Sequence, residues 1–408
     1  MIVVLTDAAF FDGTSDELRS GHIVIEDGRI ADIADSQPSS DGERQIISVR
    51  GRTLMPGLID AHVHSYFPDV NATAGDRWPV TMVAHWAARM LAASLNRGFT
   101  TVRDAGGADQ GLCLAIERGW ISGPTLIYCG KALSQTGGHG DMRDPHQASW
   151  CGCSGYVGHS TQVVDGPEQV RLAIREELRQ GAGFIKIMGS GGVASPADPL
   201  ERCQFSDEEI SAAVDETRRQ GSYVTAHVHP DEAIRRCIEL GVPCLEHVTL
   251  ISDSTAALAA ERDVSVVPTM AVINALARHG RELGFPSVSL DKLAMLEPLA
   301  LRSLERLHQA GVRTGFGTDL LGALERYQCT EFAIRGEVWA PADVLRSATS
   351  VNAEILGIGD RVGKVAPGYD ADLIAVSGNP LVDLNLFTDD GRNVPLVIKK
   401  GRIAKNEL

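Results

Sequence analysis

The chain has 408 residues, 44% hydrophobic, 22% charged and 5% aromatic, which excludes a disordered or fibrous polymer and accommodates one large barrel plus a smaller domain. Lysine and arginine number 38 against 53 aspartates and glutamates, a net charge of −15, so neither nucleic acid nor anionic membrane is an expected partner. The opening MIVVLTDAAFFDG has no basic leader and meets Asp7 early, and no later run approaches a bilayer span; the expectation is an unexported, cytoplasmic protein.

Taken in order, the first fifty residues read as short strands: IVVL, HIVIEDGRIADI with a turn at Asp27-Gly28, and QIISV. The middle then alternates apolar strands with amphipathic segments. The strands are GLIDAHVH, FTTVRDAGG, PTLIYCGK, FIKIMGSGG, SYVTAHVH, CLEHVTL, VSVVPTM and VRTGFGTD. Between them PEQVRLAIREELRQGA, SDEEISAAVDETRRQG and DEAIRRCIELGV each end near a glycine, as a helix C-cap would. Eight such alternations predict an α/β fold, a (β/α)8 TIM barrel over residues 56–355, with its chemistry at the C-terminal ends of the strands. The tail returns to ADLIAV and PLVIKKGRIA with a turn at Lys400-Gly401. Residues 1–55 and 356–408 are therefore expected to build one small β domain.

Eight cysteines are scattered, several inside apolar segments, and imply no disulfide framework. Cys151 and Cys153 form a C-x-C pair that could bind metal; lacking a second pair, it reads better as a loop with free thiols.

Residues i and i+2 of a strand share a face, so His62 and His64 can aim at one point. Alone the pair is weak evidence, because one packed and one exposed imidazole is the commoner outcome. His227 ends VTAHV and His247 lies in LEHV one helix later, on what should be the adjacent strand. Asp319 of GFGTD would by itself read as a helix N-cap. Four imidazoles and a carboxylate at one mouth, however, are costly unless a cation holds them. Lys186 of FIKIMG is the odd member, since an ammonium has no lone pair to give and a lysine inside an apolar strand is rare unless paired. Carboxylation of the neutral amine by CO2 would turn it into an anionic bridging ligand.

LMPGLIDAHVH, GFIKIM, TAHVH, LEH, GTD and RVGKVAPGYDADLIAV together resemble the amidohydrolase superfamily, over essentially the whole chain. TGGHGD and FIKIMGSGG are similar to its imidazolonepropionase-like and prolidase-like branch. The resemblance implies that the two chain ends form a β-sandwich. It also implies that His62, His64 and Asp319 hold one divalent metal, His227 and His247 a second, and carboxylated Lys186 bridges them; zinc suits these ligands. Two such ions lower the pKa of a bridging water and polarise a carbonyl, with Asp319 as general base and then acid.

The expected reaction is hydrolysis of an amide or peptide-like C–N bond in a small molecule, of the dipeptide or N-acyl amino acid class. The resemblance makes His139 of TGGHGD a substrate contact, though a surface-loop histidine reads nearly as well from the residues alone. His229 is a second candidate; some peptide-cleaving relatives carry tyrosine there, which counts against a dipeptide. The long loop SGGVASPADPLERCQFS is either a lid or a passive rim. Alternatives are a mononuclear cyclic-amide hydrolase or deaminase, a lactone or ester hydrolase on the same site, and an inactive scaffold. Lys186 argues against one metal, and retention of all six ligands argues against the scaffold. Related enzymes commonly assemble, so a homo-oligomer is expected.

Overall fold

The computed structural model describes residues 2–36, 44–75, 77–143, 160–195 and 198–408. Cys151 and Cys153 lie outside the described residues. The chain begins with β1 (Ile2–Phe10), β2 (Arg19–Glu26), β3 (Arg29–Ala34), β4 (Arg44–Ser48) and β5 (Thr53–Pro56). There follow β6 (Leu58–Val63), β7 (Phe99–Asp104), β8 (Thr125–Tyr128), β9 (Ala132–Ser134), β10 (Thr161–Val163), β11 (Ile185–Met188), β12 (Val224–Val228), β13 (Cys244–His247) and β14 (Ser265–Val267). It ends with β15 (Leu373–Val376), β16 (Leu396–Lys399) and β17 (Arg402–Asn406).

Strands from both ends share one eight-stranded sheet, in the order β17-β16-β15-β5-β1-β2-β3, with β4 also paired to β1. The two hairpins turn where expected. Asp27 and Gly28 have φ of 48° and 83°, and Lys400 and Gly401 have 47° and 71°; two central residues at positive φ make the tight turn whose twist matches that of the strands. The tips meet, for a Cβ on Gly401 would lie 2.5 Å from Gly28 Cα.

All middle strands pair in parallel, as β6-β7-β8 and β10-β9-β11-β12-β13-β14. The expected third strand, PTLIYCGK, forms only over β8, which pairs with β7; a further short strand just past it, β9, pairs with β11 instead. On the other side Val266 N donates to Arg313 O, Gly315 N to Val266 O, Ala61 N to Phe316 O and Asp319 N to His62 O. Hydrogen bonding thus runs from β14 through residues 313–319 to β6, consistent with barrel order. This last segment, GVRTGFGTD, makes a single bridge and no ladder. Its glycines let it pack closely: a Cβ on Gly317 would lie 2.5 Å from Val267 Cγ1 and one on Gly315 2.3 Å from Asn352 Oδ1. The Asn352 amide completes the seam, donating to Ile59 O and Phe316 O and accepting from Phe316 N.

The three amphipathic segments fold as helices Pro167–Arg179, Asp207–Arg219 and Asp231–Glu239. The first buries Val170, Ala173, Ile174 and Glu177, the one-sided spacing that presses a helix onto a sheet. Ser206 and Glu209 close a capping box on the second, and Gly181, Gly221 and Gly241 take positive φ just past the three ends. Among the described residues no helix is long and apolar enough to cross a membrane.

Candidate active site

His62 lies in β6 and His64 just beyond it, and their tautomers follow from their neighbours. His62 Nδ1 lies 2.7 Å from Glu246 Oε2, and His64 Nδ1 lies 3.2 Å from the Gly106 carbonyl. A carboxylate or a carbonyl only accepts, so both Nδ1 atoms carry a proton and the neutral rings present Nε2 lone pairs; against its burial, Asp319 and Glu246 push the His62 pKa up, so its Nε2 calls for a cation or a proton of its own. Both Nε2 atoms face Asp319 Oδ1, at 3.4 Å from His62 and 3.1 Å from His64. His62 Nε2 is buried without a hydrogen bond. Lone pairs converging on an anionic oxygen repel unless a cation or proton lies between them. One ligand atom from each of His62, His64 and Asp319 falls within 4.8 Å of the others, and this imidazole–carboxylate set suits a divalent ion.

β12 and β13 bring the other imidazoles. The His62 and His247 rings are 4.9 Å apart, His227 and His247 4.6 Å, and His227 and His229 4.8 Å. β12 ends one residue short of His229, yet that ring still lines the cavity. His227 Nε2 faces the Gly191 carbonyl at 3.3 Å, and His247 Nδ1 contacts Thr269 Oγ1 at 2.8 Å. Lys186 on β11 stands opposite Thr225, and Met188 opposite His227. His139, from the loop after β9, stacks on His227 at 4.3 Å.

Burial sets the charge states. It lowers the pKa of Lys186 and, with the neighbouring imidazoles and Lys186, those of His227 and His247, while His229 falls to about 3. These imidazoles therefore sit in the neutral form that can ligate, and burial pushes the Lys186 amine in the same direction. Burial alone would raise Asp319; His62, His64 and His247 outweigh it and keep the carboxylate ionised. The backbone is strained at the same place, with φ of 68° at His247, 47° at β-branched Val248 and 56° at Asp319.

Sequence reasoning missed the support beneath these groups. Glu246, fully buried, accepts from Arg103 Nη2 at 2.6 Å and from Thr225 Oγ1 as well as meeting His62. Burial would raise its pKa, but Arg103 and His62 hold it below the ordinary carboxylate range. Asp60 takes the Thr318 hydroxyl at 2.6 Å and the Gln328 amide at 2.9 Å, fixing the residue next to Asp319. The clue that drew attention to Lys186, a charge inside an apolar strand, was equally present in FTTVRD and CLEH. Tyr66 donates to Asp109 Oδ1 at 3.2 Å, Tyr327 stacks on the His279 ring at 4.9 Å, and Arg143 pairs with Asp141.

All these imidazoles, Lys186 and Asp319 line one cavity of about 870 Å³, counted out to its mouth. Its other wall is apolar: Phe67, Val272, Ile273, Leu276, Leu293 and Leu321.

The sequence model of the amidohydrolase family matches residues 53–404. The chain is 33% identical to ochratoxinase of Aspergillus niger, across 99% of this chain and 87% of that protein. A prolidase structure complexed with N-methylphosphonate-L-proline superimposes with a TM-score of 0.97 at 44% identity, covering 100% of both chains. A Xaa-Pro dipeptidase with methionine bound in its active site gives a TM-score of 0.88 at 30% identity, covering 99% of each. The chain belongs to the amidohydrolase family and is a hydrolase acting on carbon–nitrogen bonds.

Proposed function

We propose that this hydrolase uses two divalent metal ions to cleave the amide bond of an N-acyl amino acid or dipeptide. The observation that carries the reading is the convergence of His62 Nε2 and His64 Nε2 on one oxygen of Asp319, with both Nδ1 atoms already committed, which a cation or proton between them reconciles. His62, His64 and Asp319 would hold one ion, His227 and His247 the second, and carboxylated Lys186 would bridge; zinc suits all of these ligands. Such ions supply, when bound, a nucleophile at neutral pH and polarisation of the carbonyl. The burial that lowers the Lys186 pKa favours the neutral amine that reacts with CO2.

Asp319 takes the proton from the attacking water and returns it to the leaving nitrogen. His139 and His229 orient the substrate from the cavity wall, and the apolar wall receives an apolar side chain or acyl group. In this reading residues 56–355 close as a (β/α)8 barrel, and residues 1–55 with 356–408 form the composite β domain. The ochratoxinase, prolidase and dipeptidase relatives support the bond type.

The test is metal content per subunit together with hydrolysis of N-acyl amino acids, dipeptides, lactones and esters. Two ions and amide turnover are expected, with Lys186→Ala and Asp319→Asn each slowing it roughly 10²–10⁴-fold. Turnover confined to lactones or esters, or variants as active as the parent, would overturn the proposal. The tight His62–His64–Asp319 group on its own favours a second reading, a mononuclear cyclic-amide hydrolase or deaminase, which predicts one ion.

A further inference from the structure

We propose that Asp198 and Lys292 are positioning residues that aim the His139 imidazole into the cavity. The inference rests on the hydrolase reading above but concerns residues outside the ligand set. Asp198 lies in the loop after β11, His139 in the loop after β9, and Lys292 on the helix Ser287–Gln309; nothing in their spacing announces an association.

Asp198 is 2% exposed, and its Oδ2 accepts the Gly192 N–H and the Gln204 Nε2–H, each at 3.1 Å. The same oxygen faces His139 Nδ1 at 3.5 Å, a charge contact longer than a hydrogen bond, and that buried nitrogen has no hydrogen-bond partner among the described residues. Gln204 closes the circuit, its Oε1 accepting the His139 backbone N–H at 2.9 Å. Ring and backbone of His139 are thus both referred to one buried carboxylate. With Nδ1 turned to Asp198, Nε2 is the nitrogen left for substrate, and His139 lines the cavity.

Lys292 fixes the loop that carries the carboxylate. Its ammonium spends its three donors on backbone carbonyls, those of Gly192 at 2.9 Å, Ser195 at 2.7 Å and Asp198 at 2.5 Å. The loop held in this way lies against the imidazoles themselves. A Cβ on Gly192 would come within 2.4 Å of His139 Cε1 and 2.6 Å of His227 Nε2. Not even a methyl fits between the loop and the His139 ring, so the backbone at Gly192 packs directly against it. Asp198 is also held ionised: burial raises its pKa, but His139, Ser195 and Lys292 bring it down to about 2.

A double-mutant cycle separates positioning from a mere loop staple. Asp198→Asn and Lys292→Met should each lower kcat/KM roughly 10–100-fold, the range seen when outer partners of metal-ligating histidines are lost, with kcat carrying most of the fall. On a His139→Gln background neither should lower it further. Losses that add on that background, or that fall on KM alone, would overturn the proposal. A second readout needs no turnover: the downfield imidazole N–H proton resonance of the holoenzyme that vanishes in His139→Gln should shift or vanish in Asp198→Asn and Lys292→Met. If it stays in place in both, the proposal fails whatever the enzyme hydrolyses. A parent enzyme inert toward the substrate panel, with the resonance behaving as expected, would count against the hydrolase reading and not against this one.

Discussion

Left-handed backbone occurs at the hairpin tips of the terminal sheet and at the mouth of the parallel strands, for opposite reasons. At the tips it falls on Asp27-Gly28 and Lys400-Gly401, tight turns whose second residue is a glycine that adopts positive φ at little cost. At the mouth it falls on His247, Val248 and Asp319, two candidate ligands and a β-branched residue. The terminal sheet obeys local rules because nothing competes with them. The mouth breaks these rules and also buries Glu246, Arg103 and Lys186. Strain and buried charge gathered in one place mark a surface shaped for chemistry. The two regions should therefore fail differently, the mouth through uncompensated charge and the sheet through backbone conformation.

The largest effect expected from this contrast comes from Glu246. Glu246→Ala leaves the Arg103 guanidinium buried without its carboxylate and frees the Nδ1 proton of His62. Removing one partner of a buried ion pair costs roughly 3–5 kcal/mol, read as a lowered midpoint in urea. Equal stability of variant and parent would show that the mouth is held by packing, and the contrast would dissolve.

Next comes the meeting of the hairpin tips. Gly401→Ala places a methyl 2.5 Å from Gly28 Cα at φ 71° and should cost about 1–3 kcal/mol with kcat unchanged. Gly51 is the control, since φ is 79° there and a Cβ meets nothing within 4 Å. Gly51→Ala therefore reports strain without the clash, and it should cost less. Equal costs for the two would remove the contact between the tips from the account.

This contrast also explains what could be read in advance. The hairpins, the capped helices and the parallel middle were legible because turn chemistry and apolar period are local. His62, His64, Lys186, His227, His247 and Asp319 stood out because histidines and charges are rare at the ends of apolar strands. Glu246, Arg103, Asp198 and Lys292 did not, because their roles depend on partners from distant elements: Lys292 meets carbonyls 94 to 100 residues away in sequence. The break between β8 and β9 was hidden too. It falls at Cys129-Gly130-Lys131, where Gly130 takes a φ of 71°, and the separate strand beyond it shows only in its pairing with a different neighbour.

The smallest effect tests the sheet side by acid. Asp12, beyond β1, accepts the Thr14 N–H, Ser15 N–H and Thr14 hydroxyl on Oδ1 and the Ser15 hydroxyl on Oδ2. Burial would raise its pKa, but these four donors bring it down to about 2, against roughly 3.9 in an unfolded chain. A depressed folded value means that the contribution is whole above the unfolded value and fades as pH falls through about 2. Asp12→Asn keeps an acceptor for the turn but loses the charge, so it should cost about 1 kcal/mol at neutral pH. That cost should hold steady from neutrality down to roughly pH 4, shrink as pH falls to about 2 and vanish below it, where the parent carboxyl is protonated as well. A deficit that survives undiminished at the acid end would mean that the carboxylate charge does nothing for this turn, and that the terminal sheet rests on backbone geometry alone.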